Sequence, residues 1–405
     1  MLPAAALNAR PGERVLDLCA APGGKSSQIA LAMGGEGVLV ANEVDTARAR
    51  VLAANLERLG VTNAVVLNET PARLAARWPE SFDAVLVDAP CSGEGMFRRD
   101  PQSREAWTDA APRGCRKRQG EILEAAAKMV RPGGRLLYST CTFNGEENEG
   151  SVADFLQAHA DFSPEEFSLP GLGASRGGML RIWPHRARGD GQFAALLRRA
   201  GDAGEGPEAR AGMADAVGEV SARGDGADGS GGLSSAHSAA SIDMWLDALP
   251  KARPARRAGK AAPAPDVAAL LRELGKCAVS ALPVPPQSAR LHLEGRRLIA
   301  APLDAPELDG LRVVSPGLAL LRAETARVEP EHALAMALLP GMARREAALT
   351  EEEALAFIAG EALPREGEAG WTLVTHAGLP LGWGKQAGGM LKNHVPKGLR
   401  ARLHP

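Results

Sequence analysis

Short apolar runs alternate with amphipathic stretches through the first half of the chain. Arg14-Val15-Leu16-Asp17-Leu18 reads as a buried strand, Cys19 to Lys25 as the turn after it, and Ser26 to Met33 as a helix. Gly37 to Asn42 reads as a second strand ending at Glu43, Asp45 to Leu59 as a helix, Ala64 to Leu67 as a third strand and Ala84 to Val87 as a fourth. Glu121 to Val130 follows as a helix, Arg131-Pro132-Gly133-Gly134 as a turn, and Arg135 to Ser139 as the fifth strand. Strands alternating with helices imply an α/β fold built on a doubly wound parallel sheet. Ile182 to Trp183 and Phe193 to Leu197 are expected to add edge strands.

The pattern breaks after Arg199. From Gly201 to about Ser241 the chain is Gly, Ala, Ser and Asp with few large apolar residues, and Lys251 to Pro265 is rich in Pro, Ala, Lys and Arg. Residues 201–265 are therefore expected to be a flexible linker. From about Asp266 the periodicity returns. Val267 to Leu274, Glu331 to Leu338 and Glu351 to Ala359 read as helices, and Arg290 to Leu293 and Arg297 to Ala300 as strands. Trp371 to Thr375 and Leu379 to Trp383 read as a hairpin about Ala377-Gly378.

Composition narrows the function classes. The chain has 405 residues, enough for two or three domains, and is 45% hydrophobic. With aromatics at 4% and one tyrosine, extensive base stacking on aromatic platforms is not expected. A formal net charge of −2 gives no global polyanion signal, so any nucleic-acid surface must be a local patch. The tail supplies one candidate, with Lys385, Lys392, Lys397, Arg400 and Arg402 and no acid between them. The cysteines are Cys19, Cys91, Cys115, Cys141 and Cys277, an odd set without a C-x-x-C pair. That argues against a disulfide framework and against a zinc site, and suits a reduced cytoplasmic protein with no metal. No run approaches the ~18 apolar residues of a membrane span, so no membrane partner is expected.

Candidate chemistry collects where strands end. Open α/β sheets keep ligands at the carboxyl edge. The apolar run Phe82 to Val87 ends in Asp88-Ala89-Pro90-Cys91-Ser92-Gly93-Glu94-Gly95, and a second thiol follows the fifth strand in Ser139-Thr140-Cys141-Thr142-Phe143. A lone cysteine in such a place is commonly a small buried hydrophobe. Two thiols just past apolar strands and just before polar loops point instead to a shared site. Cys115 and Cys277 lack that setting and read as structural. Cys19-Ala20-Ala21-Pro22-Gly23-Gly24-Lys25 is a glycine-rich turn entering a helix, a place for close backbone approach to a ligand. It fits neither G-x-G-x-x-G nor the P-loop, because Cys19 stands where the P-loop needs its first Gly. Lys25 in the first helical turn opposes the helix dipole and hints at an anionic partner. Glu43 at the tip of the second strand stands where such folds hold a ribose hydroxyl pair. Arg98 and Arg99, after the Cys91 loop, are read either as nucleic-acid contacts or as exposed charges.

Together the Cys-Ala-Ala-Pro-Gly-Gly-Lys, Asp-Ala-Pro-Cys-Ser-Gly-Glu-Gly and Ser-Thr-Cys-Thr-Phe motifs resemble the NOL1/NOP2/Sun family of RNA cytosine-5 methyltransferases, with the nearest likeness to bacterial RsmF-type enzymes of 16S ribosomal RNA. The likeness implies a Rossmann-like S-adenosylmethionine-dependent methyltransferase domain over residues 1–200, and a smaller α+β PUA-like RNA-binding domain over 266–405. It implies Cys141 as the nucleophile toward cytosine C6, Cys91 as the group assisting proton removal or release, and Asp88 on the cytosine edge or the methyl donor. It assigns Cys19, Ala20, Ala21, Pro22, Gly23, Gly24 and Lys25 to the S-adenosyl-L-methionine loop and Glu43 to its ribose. Members often place Asp after the third strand near the adenine, where this chain has Glu69-Thr70. The implied partner is RNA, with 16S ribosomal RNA or the 30S subunit first. The alternatives are transfer RNA as substrate, or a catalytically weak RNA-binding or ribosome-assembly factor. Relatives generally carry a further segment before Leu2, so the chain is expected to be a truncated or mis-started product, the alternative being a naturally short form.

Overall fold

The computed structural model describes residues 2–187, 189–201, 239–249, 266–324 and 327–400. In chain order the first half runs α1 (Leu2–Leu7), β1 (Arg14–Asp17), α2 (Gly24–Met33), β2 (Val38–Asn42), α3 (Thr46–Arg58), β3 (Ala64–Leu67), α4 (Pro71–Arg77) and β4 (Phe82–Asp88). It continues with α5 (Pro101–Ala106), α6 (Ala111–Met129), β5 (Val130–Thr140), α7 (Glu149–Ala158), β6 (Phe162–Pro164), β7 (Ser168–Leu169), β8 (Gly173–Ala174), β9 (Met179–Ile182) and β10 (Gln192–Arg199). The chain divides into two compact units, residues 1–46 with 68–236, and 47–67 with 237–405.

In the first unit, β1 pairs in parallel with β2 and with β4, and β4 in parallel with β5. Val15, Leu16, Leu39, Val85, Leu86, Leu136 and Leu137 are fully buried, the near-continuous apolar strands of a parallel sheet covered on both faces. Because the register aligns Asp17 with Leu86 and Asp88 with Ser139, the carboxyl ends of β1, β4 and β5 lie side by side. All three loops expected to carry chemistry start from that edge.

The sheet is not parallel throughout. β10 runs antiparallel to β5 and takes β6 and β9 antiparallel in turn, so it is an interior strand where an edge was expected. Arg131-Pro132-Gly133-Gly134 does not separate two elements either. It is an interruption inside β5, whose register to β4 jumps from Phe82↔Val130 to Ala84↔Arg135. α6 starts ten residues earlier than its apolar stripe, at Ala111, with Pro112 in its first turn. α1 is held to β5 by the buried Arg135, which donates to the carbonyls of Leu7 (2.6 Å) and Asn8 (2.9 Å) and to both carboxylate oxygens of Glu13 (2.8 and 2.7 Å).

In the second unit, the hairpin Gly370–His376 with Leu379–Ala387 turns at Ala377 and Gly378, both at positive φ (49° and 78°), as a two-residue type I′ turn requires. It sits in a five-stranded sheet, and a separate four-stranded sheet is formed by Arg290–Glu294, Arg297–Ala301, Leu318–Ala323 and Val328–Pro330. Val313–Ser315 pairs antiparallel with β3. Part of the expected linker is ordered. Ala240–Ser241 pairs with Ala281–Leu282, and the helix Ile242–Ala248, capped by Ser241 Oγ, buries Ile242 and Trp245 in the core of this unit. One apolar residue per turn is enough to dock a short helix, and composition averaged over 201–265 conceals it. The Gly- and Ser-rich stretch at 229–235, the segment 251–265 and Arg402 lie outside the described residues.

Candidate active site

The loop after β1 closes as a turn in which the Gly23 N–H donates to the Ala20 carbonyl (2.8 Å), and Gly23 takes φ 109° to start α2. A side chain there would be strained, so the glycine is needed by the backbone itself. Lys25 in the first turn of α2 reaches Asp88 at the end of β4 (Nζ–Oδ2 2.6 Å). The anionic partner that its place against the helix dipole called for is thus a carboxylate of the neighbouring strand. Asp88 Oδ1 accepts from the Ser139 hydroxyl of β5 at 2.6 Å. One lysine, one carboxylate and one hydroxyl therefore tie the tips of three elements together.

Asp17, at the tip of β1, is fully buried, and its Oδ2 accepts from Ser26 Oγ (2.7 Å). Its Oδ1 has no hydrogen-bond partner among the described residues. Burial pushes its pKa up to about 7, with further upward pressure from Asp88 and Glu43 and relief from Ser26 and Lys25. Glu43 is buried beyond β2, where one carboxylate oxygen accepts the Asp45 N–H (3.0 Å). The Glu69 that follows β3 is bracketed by the Asn42 side chain, which donates to its carbonyl and accepts from its N–H, each at 3.0 Å. Asn68 donates to the carbonyls of Glu43 and Val44 at 2.8 Å.

The two thiols meet. Cys91 and Cys141, fifty positions apart in the chain, stand 3.4 Å apart, Sγ to Sγ. Cys141 is held below the usual thiol range, first by the hydrogen bond from Cys91 and also by Lys25, against burial and the Asp88 charge. Cys91 is pushed far up, first by that same hydrogen bond and then by burial. Either sulfur could donate in this contact, and Lys25 favours charge on Cys141 over Cys91. The arrangement is a thiol with lowered pKa and a second thiol in hydrogen-bond reach.

The surrounding loops are fixed partly from within the motifs and partly by groups beyond them. The Gly95 N–H donates to the Cys141 carbonyl (2.8 Å), Ser92 Oγ and Thr142 Oγ1 are 2.9 Å apart, and the Phe143 N–H donates to Glu94 (2.9 Å). Glu147 and Asn148 are fully buried beneath the two thiol loops. Their signal in the sequence is a Glu-Asn pair six and seven positions after Cys141, in a stretch of acids that reads as a solvated turn. Arg98 and Arg99 both pair with Asp190 (2.7 and 3.0 Å) and are otherwise exposed. Cys115 lies on α6 and Cys277 on the helix Val267–Cys277, each with its thiol pKa raised first by burial; the buried carboxylate of Glu147 also pushes Cys115 up. Among the described residues no cluster of His, Cys, Asp and Glu could hold a metal ion.

Three stretches match known families. Residues 4–198 match the 16S rRNA methyltransferase RsmB/F family, 277–338 the RsmF rRNA methyltransferase first C-terminal domain, and 344–401 the methyltransferase RsmF PUA domain. Two matches therefore divide the stretch expected as one C-terminal domain. Curated relatives include the ribosomal RNA small subunit methyltransferase F of Enterobacter sp. (strain 638), 41% identical over 207 residues, which are 49% of this chain and 43% of that protein. The protein of the same name from Escherichia coli O7:K1 is 40% identical over 206 residues, with the same shares of 49% and 43%. The match thus spans less than half the length of these relatives. Among solved structures, NSun6 from Pyrococcus horikoshii with SFG is 31% identical with a TM-score of 0.45, over 50% of this chain and 52% of that one.

Proposed function

Residues 4–198 belong to the RsmB/F methyltransferase family, and from that premise we propose that the chain methylates C5 of a cytosine in RNA, with 16S ribosomal RNA as substrate and S-adenosylmethionine as donor. The observation that carries the reading is the thiol pair at 3.4 Å, with Cys141 the member whose pKa is lowered. C5 of cytosine is a poor nucleophile. Addition of the Cys141 thiolate at C6 moves the C5=C6 electron pair onto C5, which can then take a methyl group. The C5 proton must next leave and the C6–S bond break, restoring the double bond and returning Cys141 to the thiolate. Cys91, in hydrogen-bond reach, is proposed to assist, either as a thiolate that takes the C5 proton or as a thiol that protonates the departing Cys141 sulfur while the C5 proton passes to solvent. A cytosine reaches Cys141 only out of its stack, at a cost of a few kcal/mol that is least in single-stranded RNA.

The residues around the β1 loop suit a cationic donor. Asp17, Glu43 and Asp88 are grouped there with one lysine, and Asp17 Oδ1 is buried without a hydrogen-bond partner among the described residues. Such a set favours a ligand that brings a positive charge and hydrogen-bond donors. When bound, the donor supplies an electrophilic methyl group. Residues 19–25 with Glu43 are the proposed holders, and Asp88, bound by Lys25 and Ser139, is proposed to turn toward the donor or the cytosine edge. In the second unit, Lys385 and Lys392 stand opposite each other across two strands, and Lys385 lies over the Trp371 ring at 5.1 Å. These cations are proposed to contact RNA phosphates, within a catalytic, linker and C-terminal RNA-binding order.

The test is methyl transfer from labelled S-adenosylmethionine to 30S subunits, naked 16S RNA and bulk transfer RNA, with Cys141→Ala as control. Label in ribosomal RNA that disappears with Cys141→Ala is expected. Label confined to transfer RNA would move the substrate, and no label from a folded protein that binds the donor would overturn the reading.

A further inference from the structure

We propose that the consecutive residues Glu147 and Asn148 are positioning residues that set the separation of the two thiols, each gripping the loop of one of them. The proposal deepens the cytosine-methylation reading and rests on it for the meaning of that separation. Glu147 grips the Cys91 loop from both sides of the cysteine. Its Oε2 accepts the Ser92 N–H (3.0 Å) and also accepts from Gln119 Nε2 (2.9 Å), and that same nitrogen donates to the Pro90 carbonyl (3.0 Å). Ser151 donates to Gln119 Oε1 (3.1 Å), which fixes the amide with its nitrogen toward the loop.

Asn148 does the same for Cys141. Its Oδ1 accepts from Thr140 Oγ1 (2.6 Å) and its Nδ2 donates to the Thr142 carbonyl (3.1 Å), one residue on either side of the thiol. The dipeptide is itself anchored, because Tyr138, the one tyrosine of the chain, donates its buried hydroxyl to the Glu147 carbonyl at 2.6 Å. The loops rise from β4 and β5, and the two residues that hold them are neighbours in one backbone. A change in one loop's distance from that backbone is therefore a change in the distance between sulfurs.

The separation matters because a hydrogen bond weakens steeply with distance and misalignment. The groups that act on Cys141 are Cys91, Asp88 and Lys25, the last two paired with each other. Moving Cys91 away leaves Cys141 without its principal support and leaves the product adduct without its neighbouring thiol. A misplacement of ~1 Å at a reacting centre can cost ~10²-fold in rate.

The experiment is alkylation of the free 405-residue chain by iodoacetamide across pH, with modification at Cys141 followed by mass spectrometry. Cys91→Ala gives the reference profile of Cys141 alone. Glu147→Ala and Asn148→Ala are expected to move the Cys141 profile upward toward that reference, slowing modification at neutral pH about tenfold for each pH unit the profile moves. Glu147→Gln keeps an oxygen for Ser92 and Gln119 and is expected to titrate as the unaltered protein does. The proposal is overturned where folded alanine variants keep the original profile, or where Glu147→Gln moves it as far as Glu147→Ala, since charge and not grip would then be at work. Should the alanine variants not melt cooperatively, Gln119→Met decides in their place: an upward move of the profile supports the grip, and an unchanged profile overturns it. A second arm incubates each variant with donor and 16S RNA, where Glu147→Ala is expected to accumulate a covalent protein–RNA adduct as Cys91→Ala does. Absence of adduct from Cys91→Ala itself would count against the cytosine reading and leave the titration result standing.

Discussion

Asp17→Asn is a test of how the site's charge bears on folding. Asp17 titrates at about 7 in the folded chain against a reference of 3.8, chiefly because it is fully buried. Its folded pKa is raised, so the folded state holds a proton that the unfolded chain releases. Below about pH 4 both states are protonated and the side chain carries no penalty. Between about 4 and 7 stability falls as pH rises, by ~1.4 kcal/mol per pH unit, and above about 7 the loss is complete. A span of about three pH units gives a ceiling of ~4 kcal/mol, which relaxation of the site lowers.

Asparagine cannot ionise, so the variant lacks this slope. It keeps an oxygen for Ser26 but aims an amide at the place of the unpartnered Oδ1, a pH-independent cost of about 1–3 kcal/mol. The comparison must therefore be read as a slope. Urea unfolding of both proteins at pH 5, 6, 7 and 8 is the assay. The stability of the variant relative to the original is expected to rise with pH across this range, by up to ~3 kcal/mol because only about two pH units of it lie below the folded pKa, and to level off above 7. A difference constant from pH 5 to 8 would refute the claim that Asp17 is folded with its proton.

Other outcomes follow from single contacts. Gly95→Ala sets a Cβ 2.4 Å from the Cys141 carbonyl oxygen and 2.6 Å from that of Asp190, both backbone, so the Cys141 loop must move; methyl transfer is expected to fall at least ~10²-fold with the global melt largely retained. Diamide, which takes up two electrons and two protons, is expected to join Cys91 and Cys141 in a disulfide that dithiothreitol reverses, since their sulfurs already stand 3.4 Å apart. Peptide mapping without that crosslink would count against the geometry. Arg135→Ala leaves Glu13 buried without its cation and strips the bonds to Leu7 and Asn8, and is expected to cost about 3–5 kcal/mol in urea unfolding, while Arg135→Lys recovers only part.

The strands that carry the site were legible because burial on both faces writes itself as an apolar run: β1, β3 and β4 agree with their patterns to within two residues at each end. The thiol loops were legible because motif and strand end coincided. Their support was not. Gln119 lies on the part of α6 that precedes its apolar stripe, and Glu147 and Asn148 fall in a run of acids that signals exposure. Polar groups buried for the sake of a loop carry no periodicity, since their partners are backbone and side-chain atoms of other segments whose positions only the fold supplies. The interior place of β10 was lost for a similar reason, because a strand's neighbours depend on where the sheet leaves room and not on the strand's own pattern.

The same contrast explains why this edge of the sheet lowers the pKa of one thiol. A thiolate in an apolar setting reverts to its protonated form unless a donor and a cation stand by it. Cys91 is the donor, and it comes from the strand beside that of Cys141; Lys25 is the cation, and it comes from the helix after β1. Neither is local in sequence. Parallel pairing of β1, β4 and β5 delivers both, because it stops three chains at one level, and each following loop then needs only a few residues to reach the others. An insertion of one residue between Asp88 and Ala89 would break that level while leaving Asp88 on Lys25 and Ser139, by turning the Cys91 loop away from the hold of Glu147. It is expected to abolish the low-pH reactivity of Cys141 while leaving the Lys25 side of the site, and donor binding there, in place.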